Sequence, residues 1–255
     1  MTTEGAPPAL EARNIAKSFG PLEALRGVSL SIHRGEVTAI VGDNGAGKST
    51  FLKVLSGEHM PDAGELYFGG TPITLRSTHD AQEQGVETVY QDLALAPDLS
   101  VSDNVFLGRE IASNGIAGRF GAIDRLAMRE ATQGVLADLG IRLKSYAAPT
   151  RSLSGGERQA VAVARAMKWA RHAVLMDEPT AALGARQREM VYAAIRSAAR
   201  RDLAVLLISH DLPQVLELAD AIIVMRHGRN VARMAPGEVT VRDIIDAMLG
   251  EKGPR

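Results

Sequence analysis

The sequence contains no cysteine, no long apolar run and almost no net charge. Without cysteine among its 255 residues, it has no disulfide framework, no thiolate metal site and no cysteine nucleophile. The longest strongly apolar run, Leu203–Ile208, is far shorter than the roughly 20 residues that a membrane-spanning helix needs. A net charge of −1 argues against a dominant nucleic-acid-binding or anionic-membrane surface. Since residues 1–8 lack a basic-then-apolar secretion signal, we expect a soluble cytoplasmic protein.

The composition is that of an ordinary globular protein, with 45% hydrophobic and 23% charged residues. The length allows one large domain or two small ones. No Pro/Gly/Ser-rich linker and no internal repeat divides the chain. We therefore predict one domain over residues 9–250, with flexible tails at 1–8 and 251–255.

Two strand patterns follow one another along the chain. Leu25–His33 alternates apolar and polar residues, and Gly69-Gly70 lies between two short strand-like segments, Glu65–Phe68 and Pro72–Leu75. These features predict a small antiparallel β piece near the N-terminus. Later strands are short and mainly apolar, as in a parallel sheet buried on both faces. They are Val37–Val41, Val86–Tyr90, Ala173–Met176, Leu203–Ile208 and Ala221–Met225.

Most of the apolar strands are followed by a helical pattern, which predicts an α/β core with a mainly parallel sheet. These helices are Lys48–Ser56, Ala185–Arg200 and Leu212–Leu218. The last helix of the chain is predicted to begin at Thr240, with Asp243 completing its cap.

A mainly helical lobe interrupts this alternation from about residue 93 to 157. Its predicted helices cover Val101–Leu107 and Asp124–Leu139, and the second ends at Gly140. The glycine-rich stretch Ser113–Gly121 is predicted to be a loop.

A phosphate-binding loop joins the strand ending at Val41 to the next helix. Its residues are Gly42, Asp43, Asn44, Gly45, Ala46, Gly47, Lys48 and Ser49, followed by Thr50. Glycines let backbone N–H groups surround a phosphate, and the helix N-terminus adds partial positive charge. Lys48 is expected to reach the β- and γ-phosphates, and Ser49 to ligate Mg²⁺. A tight strand–helix turn without ligand is the alternative.

Two acidic residues end a buried strand near the middle of the chain. Asp177 follows the Ala173–Met176 strand, at the carboxyl edge of the sheet where ligands bind in such folds. It is expected to hold Mg²⁺ through water, and Glu178 to polarise the attacking water. Alone, such a pair is equally a helix cap or a solvated turn. The phosphate-binding loop earlier in the sequence favours the catalytic interpretation of Asp177 and Glu178.

A second anion-binding helix start lies at Leu153–Gln159, where Ser154 and two glycines precede the helical stretch Arg158–Met167. Since the chain already has one phosphate-binding loop, this start suggests contact with a nucleotide held by another chain. A capped helix with a glycine turn is the alternative.

Together these motifs resemble those of an ATP-binding cassette (ABC) transporter ATPase subunit, over roughly Leu10–Leu249. Such a protein has a P-loop NTPase core. Its motifs occur here in the family's order: the adenine-stacking aromatic Phe19, Walker A at Gly42–Thr50, Gln91 of the Q-loop, the signature Leu153–Gln159, Walker B ending at Asp177 with Glu178 next, and the switch histidine His210. His210 also follows the Leu203–Ile208 strand, which puts it at the same sheet edge as Asp177. Simple burial of Phe19 and a structural role for His210 are the alternatives.

The resemblance implies a mechanism in which two copies face head to tail as a homodimer. Each ATP lies between Walker A of one copy and Ser154, Gly155, Gly156 and Glu157 of the other. Mg²⁺ is held by Ser49 and Gln91, with Asp177 acting through water. Glu178, His210 and Lys48 are the catalytic residues, ATP binding closes the dimer and hydrolysis reopens it.

More narrowly, the motifs are similar to those of bacterial ribose, xylose and fructose importers, of the type with a single cassette. This implies permease subunits and an external sugar-binding protein as partners, and a peripheral position on the cytoplasmic side of the inner membrane. One residue departs from the family pattern: Gly184 stands where an Asp usually follows Ala-Leu. In the family, the Asp at this position helps to couple the two ATP sites of the dimer, so the resemblance leaves the strength of that coupling open here.

Other classes remain as alternatives. One is the ATPase of a non-sugar importer, and another is a soluble ABC ATPase that acts on nucleic acid or ribosomes. The second usually has coiled coils, tandem cassettes or basic extensions, which this sequence lacks. A GTPase switch would carry an Asn-Lys-x-Asp motif, also lacking here. A pure interaction module would leave Glu178 and Gln91 without a role.

Overall fold

The computed structural model describes residues 7–181 and 183–251. The predicted tails, residues 1–8 and 251–255, lie largely outside these ranges. The described residues form two compact units, one of residues 7–88, 170–179 and 195–251, and one of residues 89–169 and 180–194. The predicted lobe at 93–157 is part of the second unit.

The strands are β1 (Leu10–Phe19), β2 (Leu22–Ile32), β3 (Val37–Val41), β4 (Ala63–Phe68), β5 (Thr71–Ile73), β6 (Val86–Val89), β7 (Ala173–Asp177), β8 (Ala204–Ile208), β9 (Ala221–Arg226) and β10 (Arg229–Met234). The helices are α1 (Lys48–Leu55), α2 (Thr78–Glu83), α3 (Val101–Val105), α4 (Ile116–Arg119), α5 (Arg125–Asp138), α6 (Gly155–Trp169), α7 (Ala185–Arg200), α8 (Leu212–Leu218) and α9 (Val241–Leu249). Short 3₁₀ turns lie at Thr150–Ser152 and Pro236–Glu238.

The predicted antiparallel piece is a sheet of order β2-β1-β4-β5. The hairpin between β4 and β5 turns at Gly69 and Gly70, whose φ angles are +55° and +83°. Two consecutive positive φ angles match the right-handed twist of the strands, which explains why two glycines occur there. Strand β1, which pairs with both β2 and β4, was not predicted.

The second sheet has the order β10-β9-β3-β8-β7-β6. Strand β3 is parallel to β8 and β9, and β7 is parallel to β8, while β9 and β10 are antiparallel. Every residue of β3, β7 and β8 is buried, as expected for strands covered on both faces. The prediction of an α/β fold with a mainly parallel sheet is confirmed.

Helices α8 and α9 pack on the apolar face formed by β3 and β9. The cap of α9 is the predicted one: the Thr240 side chain accepts from the Asp243 amide, and the Asp243 carboxylate accepts from the Thr240 amide. This reciprocal pair satisfies two N–H groups that the first helical turn leaves without partners.

The second unit is built on α3, α5 and α6, which pack on one another. The Trp169 indole donates to the carbonyl of Val105 at 2.8 Å and meets the Phe106 ring edge to face. The predicted loop at Ser113–Gly121 contains one helical turn, α4, so that prediction is wrong for residues 116–119.

Asn104, which is fully buried, organises the loop before α3. Its carboxamide oxygen accepts from the Ala96 amide at 2.8 Å. Its nitrogen lies within hydrogen-bond distance of the carbonyls of Ala96, Leu99 and Ser100, at 2.9–3.2 Å. The Ala96 amide takes its partner from this side chain, while the carbonyls of Ala96, Leu99 and Ser100 also accept from other donors, so Asn104 ties together a loop that is already hydrogen-bonded.

Replacing Asn104 should destabilise the second unit. We expect Asn104→Ala to lower the free energy of unfolding by about 1–3 kcal/mol, the cost of leaving one buried polar group, here the Ala96 amide, without its partner. Urea unfolding followed by fluorescence of Trp169, the single tryptophan of the chain, measures this loss. The exposed Asn114→Ala is the matched control, and equal stability of the two variants would contradict the role given to Asn104.

Candidate functional site

The phosphate-binding loop has a backbone that only glycine fits at two positions. Gly42 has φ +152°, and a Cβ there would lie 2.2 Å from the carbonyl oxygen of Met225. Gly47 has φ +100°, and a Cβ there would lie 2.7 Å from the carbonyl oxygen of Ala24. These contacts are too short for any side chain, so the glycines are required by packing as well as by a phosphate.

The turn between β9 and β10 supports this loop from behind. The Gly228 amide donates to the Ala46 carbonyl at 3.0 Å, and the Gly228 carbonyl accepts from the Arg26 amide at 2.8 Å. A Cβ on Gly228 would lie 2.7 Å from the Ala24 carbonyl oxygen. Sequence reasoning missed this support; the His227-Gly228 pair after an apolar strand was the available turn signal.

Lys48, the first residue of α1, directs its ammonium into the loop. Its Nζ donates to the carbonyls of Gly42 at 2.7 Å and Asp43 at 2.9 Å, and the residue is 8% exposed. Burial lowers the pKa of Lys48, while the nearby carboxylates of Glu178 and Asp177 oppose that shift. The result is a cation shielded from bulk water at the start of a helix, where anions are favoured.

Asp177, the last residue of β7, is 7% exposed and accepts a hydrogen bond from the Ser49 hydroxyl. Burial raises the pKa of Asp177, and the bond from Ser49 offsets this only in part. A carboxylate beside a hydroxyl offers the oxygen ligands that Mg²⁺ prefers. No cluster of three or more His, Asp or Glu side chains able to hold a metal occurs in the described ranges.

Glu178 and His210 face each other at the ends of β7 and β8. His210 Nδ1 lies 3.0 Å from Glu178 Oε2, and the Glu178 amide donates to the Ile208 carbonyl at 3.0 Å. Glu178 has a φ of +48°, an angle unfavourable for a residue with a side chain. Strain of this kind is concentrated at functional sites. The sequence predicted a role for each residue but not their contact.

The remaining predicted residues of the first unit are those of the loop itself and Phe19 at the end of β1. Asp43, Asn44, Gly45 and Ser49 are exposed, so the loop is open to solvent. Phe19 ends β1 and is 43% exposed, which leaves much of its ring available for stacking.

Gln91 and the signature residues lie in the second unit. Gln91 is exposed, and its part in binding Mg²⁺ stays a prediction. At the start of α6, the Ser154 hydroxyl donates to Glu157 at 2.8 Å and accepts from the Glu157 amide at 3.3 Å. The Ser154 amide also donates to the Glu157 carboxylate at 2.8 Å. These bonds lower the pKa of Glu157 and form a capping box that stabilises the start of the helix.

The chain is similar to many known proteins. A family model described as ABC transporter matches residues 25–181. The chain is 44% identical over 249 residues to the fructose import ATP-binding protein FrcA of Rhizobium meliloti, covering 97% of this chain and 96% of that protein. It is 43% identical over 252 residues to the xylose/arabinose import ATP-binding protein XylG of Sulfolobus acidocaldarius, covering 95% and 98%. A solved ATP-binding cassette of an ABC transporter has a TM-score of 0.81 at 27% identity, covering 96% and 98%.

The burial of Asp177 has a consequence for stability. A carboxyl group whose pKa is raised on folding favours the folded state while protonated, and that contribution is lost as the pH rises through the raised pKa. Above the raised pKa, the folded protein therefore bears the cost of a buried charge. We expect Asp177→Asn to raise the thermal unfolding midpoint, by about 2–4 °C for each kcal/mol relieved.

Thermal unfolding without nucleotide, from about pH 8 down towards about pH 4, near the ordinary pKa of an aspartate, measures this effect. The gain from Asp177→Asn should shrink as the pH falls, because Asp177 itself becomes protonated. Asp92→Asn, at an exposed position, serves as the control. A gain that does not change with pH, or a loss of stability, would contradict the interpretation.

Proposed function

The chain belongs to the ABC transporter family, and on that premise we propose that it is the ATP-hydrolysing subunit of a monosaccharide importer. The resemblance read from the motifs is confirmed by the family match over residues 25–181. The observation that carries the proposal is the convergence of Lys48, Asp177, Glu178 and His210 on one edge of the parallel sheet, beside a glycine-rich loop. The sugar assignment rests on relatives that are sugar import ATP-binding proteins at 43–44% identity over nearly the whole chain.

Binding of ATP depends on the loop and on Lys48. The amides of residues 42–49 surround the phosphates, and the ammonium of Lys48 exchanges its loop carbonyls for phosphate oxygens. Ser49 and Asp177 are the residues that would hold Mg²⁺, which neutralises charge on the phosphates when bound. The exposed ring of Phe19 stacks on the base.

Hydrolysis depends on Glu178 and its contact with His210. Glu178 accepts a proton from the attacking water and so orients it. His210, held 3.0 Å from the same carboxylate, orients that carboxylate and offers its other ring nitrogen to the γ-phosphate. Phosphoryl transfer needs little covalent chemistry from the protein, so positioning and charge stabilisation account for the catalysis.

The signature helix is proposed to act on the nucleotide of a second copy. The capping box of Ser154 and Glu157 fixes the first turn of α6, and helix N-termini favour anions. We expect a head-to-tail homodimer in which Ser154–Glu157 of one copy meets the ATP held by the loop of the other. ATP then joins the two copies, and hydrolysis releases them.

The partners of the dimer are proposed to be permease subunits, and indirectly an external sugar-binding protein. No helix of the described part of the chain is long and apolar enough to span a membrane. Attachment at the cytoplasmic face would use protein contacts, and the second unit exposes the apolar side chains of Leu107, Phe120 and Leu126 at 50%, 88% and 63%.

Uptake of labelled monosaccharides tests the proposal as a whole. Cells that lack this chain should lose uptake of one monosaccharide among fructose, xylose and ribose. The parental gene should restore it and Lys48→Ala should not. Unchanged uptake of every sugar tested, with another solute lost instead, would reject the sugar assignment and leave the ATPase assignment standing.

Glu178→Gln should separate binding from hydrolysis. We expect ATP affinity to be kept and turnover to fall by at least about 100-fold, the lower end for loss of a general base. Equilibrium titration with a fluorescent ATP analogue and phosphate release measure the two effects. The exposed Glu189→Gln should leave both unchanged, and Lys48→Ala should abolish tight binding. Turnover at the parental rate in Glu178→Gln would remove Glu178 from the mechanism.

A mixture of two inactive variants tests the shared site. Lys48→Ala damages the loop and Ser154→Ala the helix start, so a mixed dimer regains one intact pair of surfaces. We expect each variant alone to be inactive and the mixture to recover part of the ATPase activity. No recovery, with mixed dimers shown to form, would count against contact between the two copies through ATP.

A further inference from the structure

The ring of Phe19 is held from the side by His59, a residue to which neither the motifs nor the proposed mechanism assigns a role. The two ring centroids are 5.3 Å apart, with 67° between the ring planes. This edge-to-face arrangement is the favourable one for two aromatic rings. Phe19 is 43% exposed, whereas His59 is half-buried. The contact therefore fixes the Phe19 ring while leaving part of it open to a ligand.

Asp62 fixes the backbone that carries Phe19. Its carboxylate accepts from the Ser18 amide at 2.6 Å and from Lys17 Nζ at 2.8 Å. Its own amide donates to the Ala16 carbonyl at 2.9 Å. The chain is thus held at three consecutive residues immediately before Phe19. Short charge-assisted bonds of this kind define a geometry more closely than neutral ones.

His59 is in turn fixed to the end of α1. Its amide donates to the Lys53 carbonyl at 3.0 Å, and its Nδ1 lies 3.0 Å from the Glu58 carbonyl. The turn between them passes through Gly57, where φ is +74° and a Cβ would lie 2.3 Å from the Ser77 carbonyl oxygen. The turn therefore requires glycine at residue 57, and the bond from the His59 amide to the Lys53 carbonyl ties His59 to the last turn of α1.

Helix α1 therefore joins two parts of the nucleotide site. It begins with Lys48, the cation of the phosphate-binding loop, and His59 follows its end by four residues. A helix is stiff, with a fixed rise of about 1.5 Å per residue. The separation between the loop and the ring of Phe19 is consequently set by one rigid element.

We propose that His59 and Asp62 are positioning residues for the nucleobase. They hold Phe19 at a fixed distance from the phosphate-binding loop, so that a nucleoside triphosphate meets both contacts at once. The inference rests on the proposed function, because it concerns the same ATP site. The ligand it favours has a flat aromatic base, since stacking on Phe19 needs only a π face.

The test compares ATP with inorganic tripolyphosphate, which has the phosphates and no base. In His59→Ala we expect ATP to bind about 3- to 10-fold more weakly, the range for losing one aromatic pair. Tripolyphosphate should bind as it does to the parental protein, because the loop is untouched. The KM for ATP should rise with the affinity loss, and kcat should stay within about twofold. His59→Phe keeps a ring edge against Phe19 and should restore ATP binding.

Asp62→Ala gives a second route to the same result if His59→Ala does not fold. It should also weaken ATP and spare tripolyphosphate. His79→Ala, at an exposed histidine on α2, is the control and should change neither. Unchanged ATP affinity in both His59→Ala and Asp62→Ala would overturn the inference, and so would equal losses for the two ligands. Failure of the parental protein to bind ATP would instead reject the proposed function, and this inference with it.

Discussion

The site depends on a lysine and an aspartate kept out of water at one edge of the parallel sheet. Lys48 and Asp177 are 8% and 7% exposed. Burial lowers the pKa of Lys48 and raises the pKa of Asp177, and both shifts favour the uncharged form of the side chain. Charged groups in such a place are costly unless they are paired and hydrogen-bonded. The loop carbonyls and Ser49 provide partial compensation here. The proposed phosphate and Mg²⁺ would each place the opposite charge beside one of these two groups.

The strands of the sheet explain why these groups converge. Asp177 and Glu178 lie at the end of β7, and His210 follows β8, which separates β7 from β3, the strand that leads into the phosphate-binding loop. Parallel strands present their carboxyl ends at one edge, so residues far apart in sequence meet there. The strained φ of Glu178 is maintained by the bond from its amide to the Ile208 carbonyl. The Glu178 carboxylate lies 3.0 Å from His210 Nδ1 at this edge.

The sequence was sufficient for the core of the fold and insufficient for its edges. The short apolar runs identified β3 and β6–β9 because complete burial leaves a continuous apolar pattern. Strands β1 and β10 were missed because they carry many exposed polar residues: β1 is bent by register shifts, and β10 lies at the edge of its sheet. Helix α4 was missed because glycine content suggests a loop, although a single turn needs few favourable residues.

The residues of the candidate site likewise fall into two groups, those that the sequence identifies and those that only the packing reveals. Lys48, Asp177 and His210 were identified because their chemistry follows a motif or a strand end. The support that Gly228 gives the loop, and the contact of His59 with Phe19, join residues far apart in sequence. No sequence pattern indicates these roles of Gly228 and His59, because glycines in turns and isolated histidines are common in any protein. Only packing shows which turn and which histidine matter.

The departure at Gly184 has a physical explanation in the second unit. A Cβ on Gly184 would lie 2.8 Å from Gln187 Oε1, and a Cβ on the signature residue Gly156 would lie 2.3 Å from Gln187 Cγ. One glutamine side chain therefore occupies the space that both glycines leave free. Its Cγ is fixed close to α6, whereas its terminal oxygen can rotate away. Gly156 is accordingly the stricter of the two positions, and Gly184 leaves room for Gln187 to join the loop after β7 to the start of the signature helix. A larger residue at 184 is compatible with the fold only if the end of Gln187 moves, so the identity of residue 184 and the conformation of Gln187 must vary together.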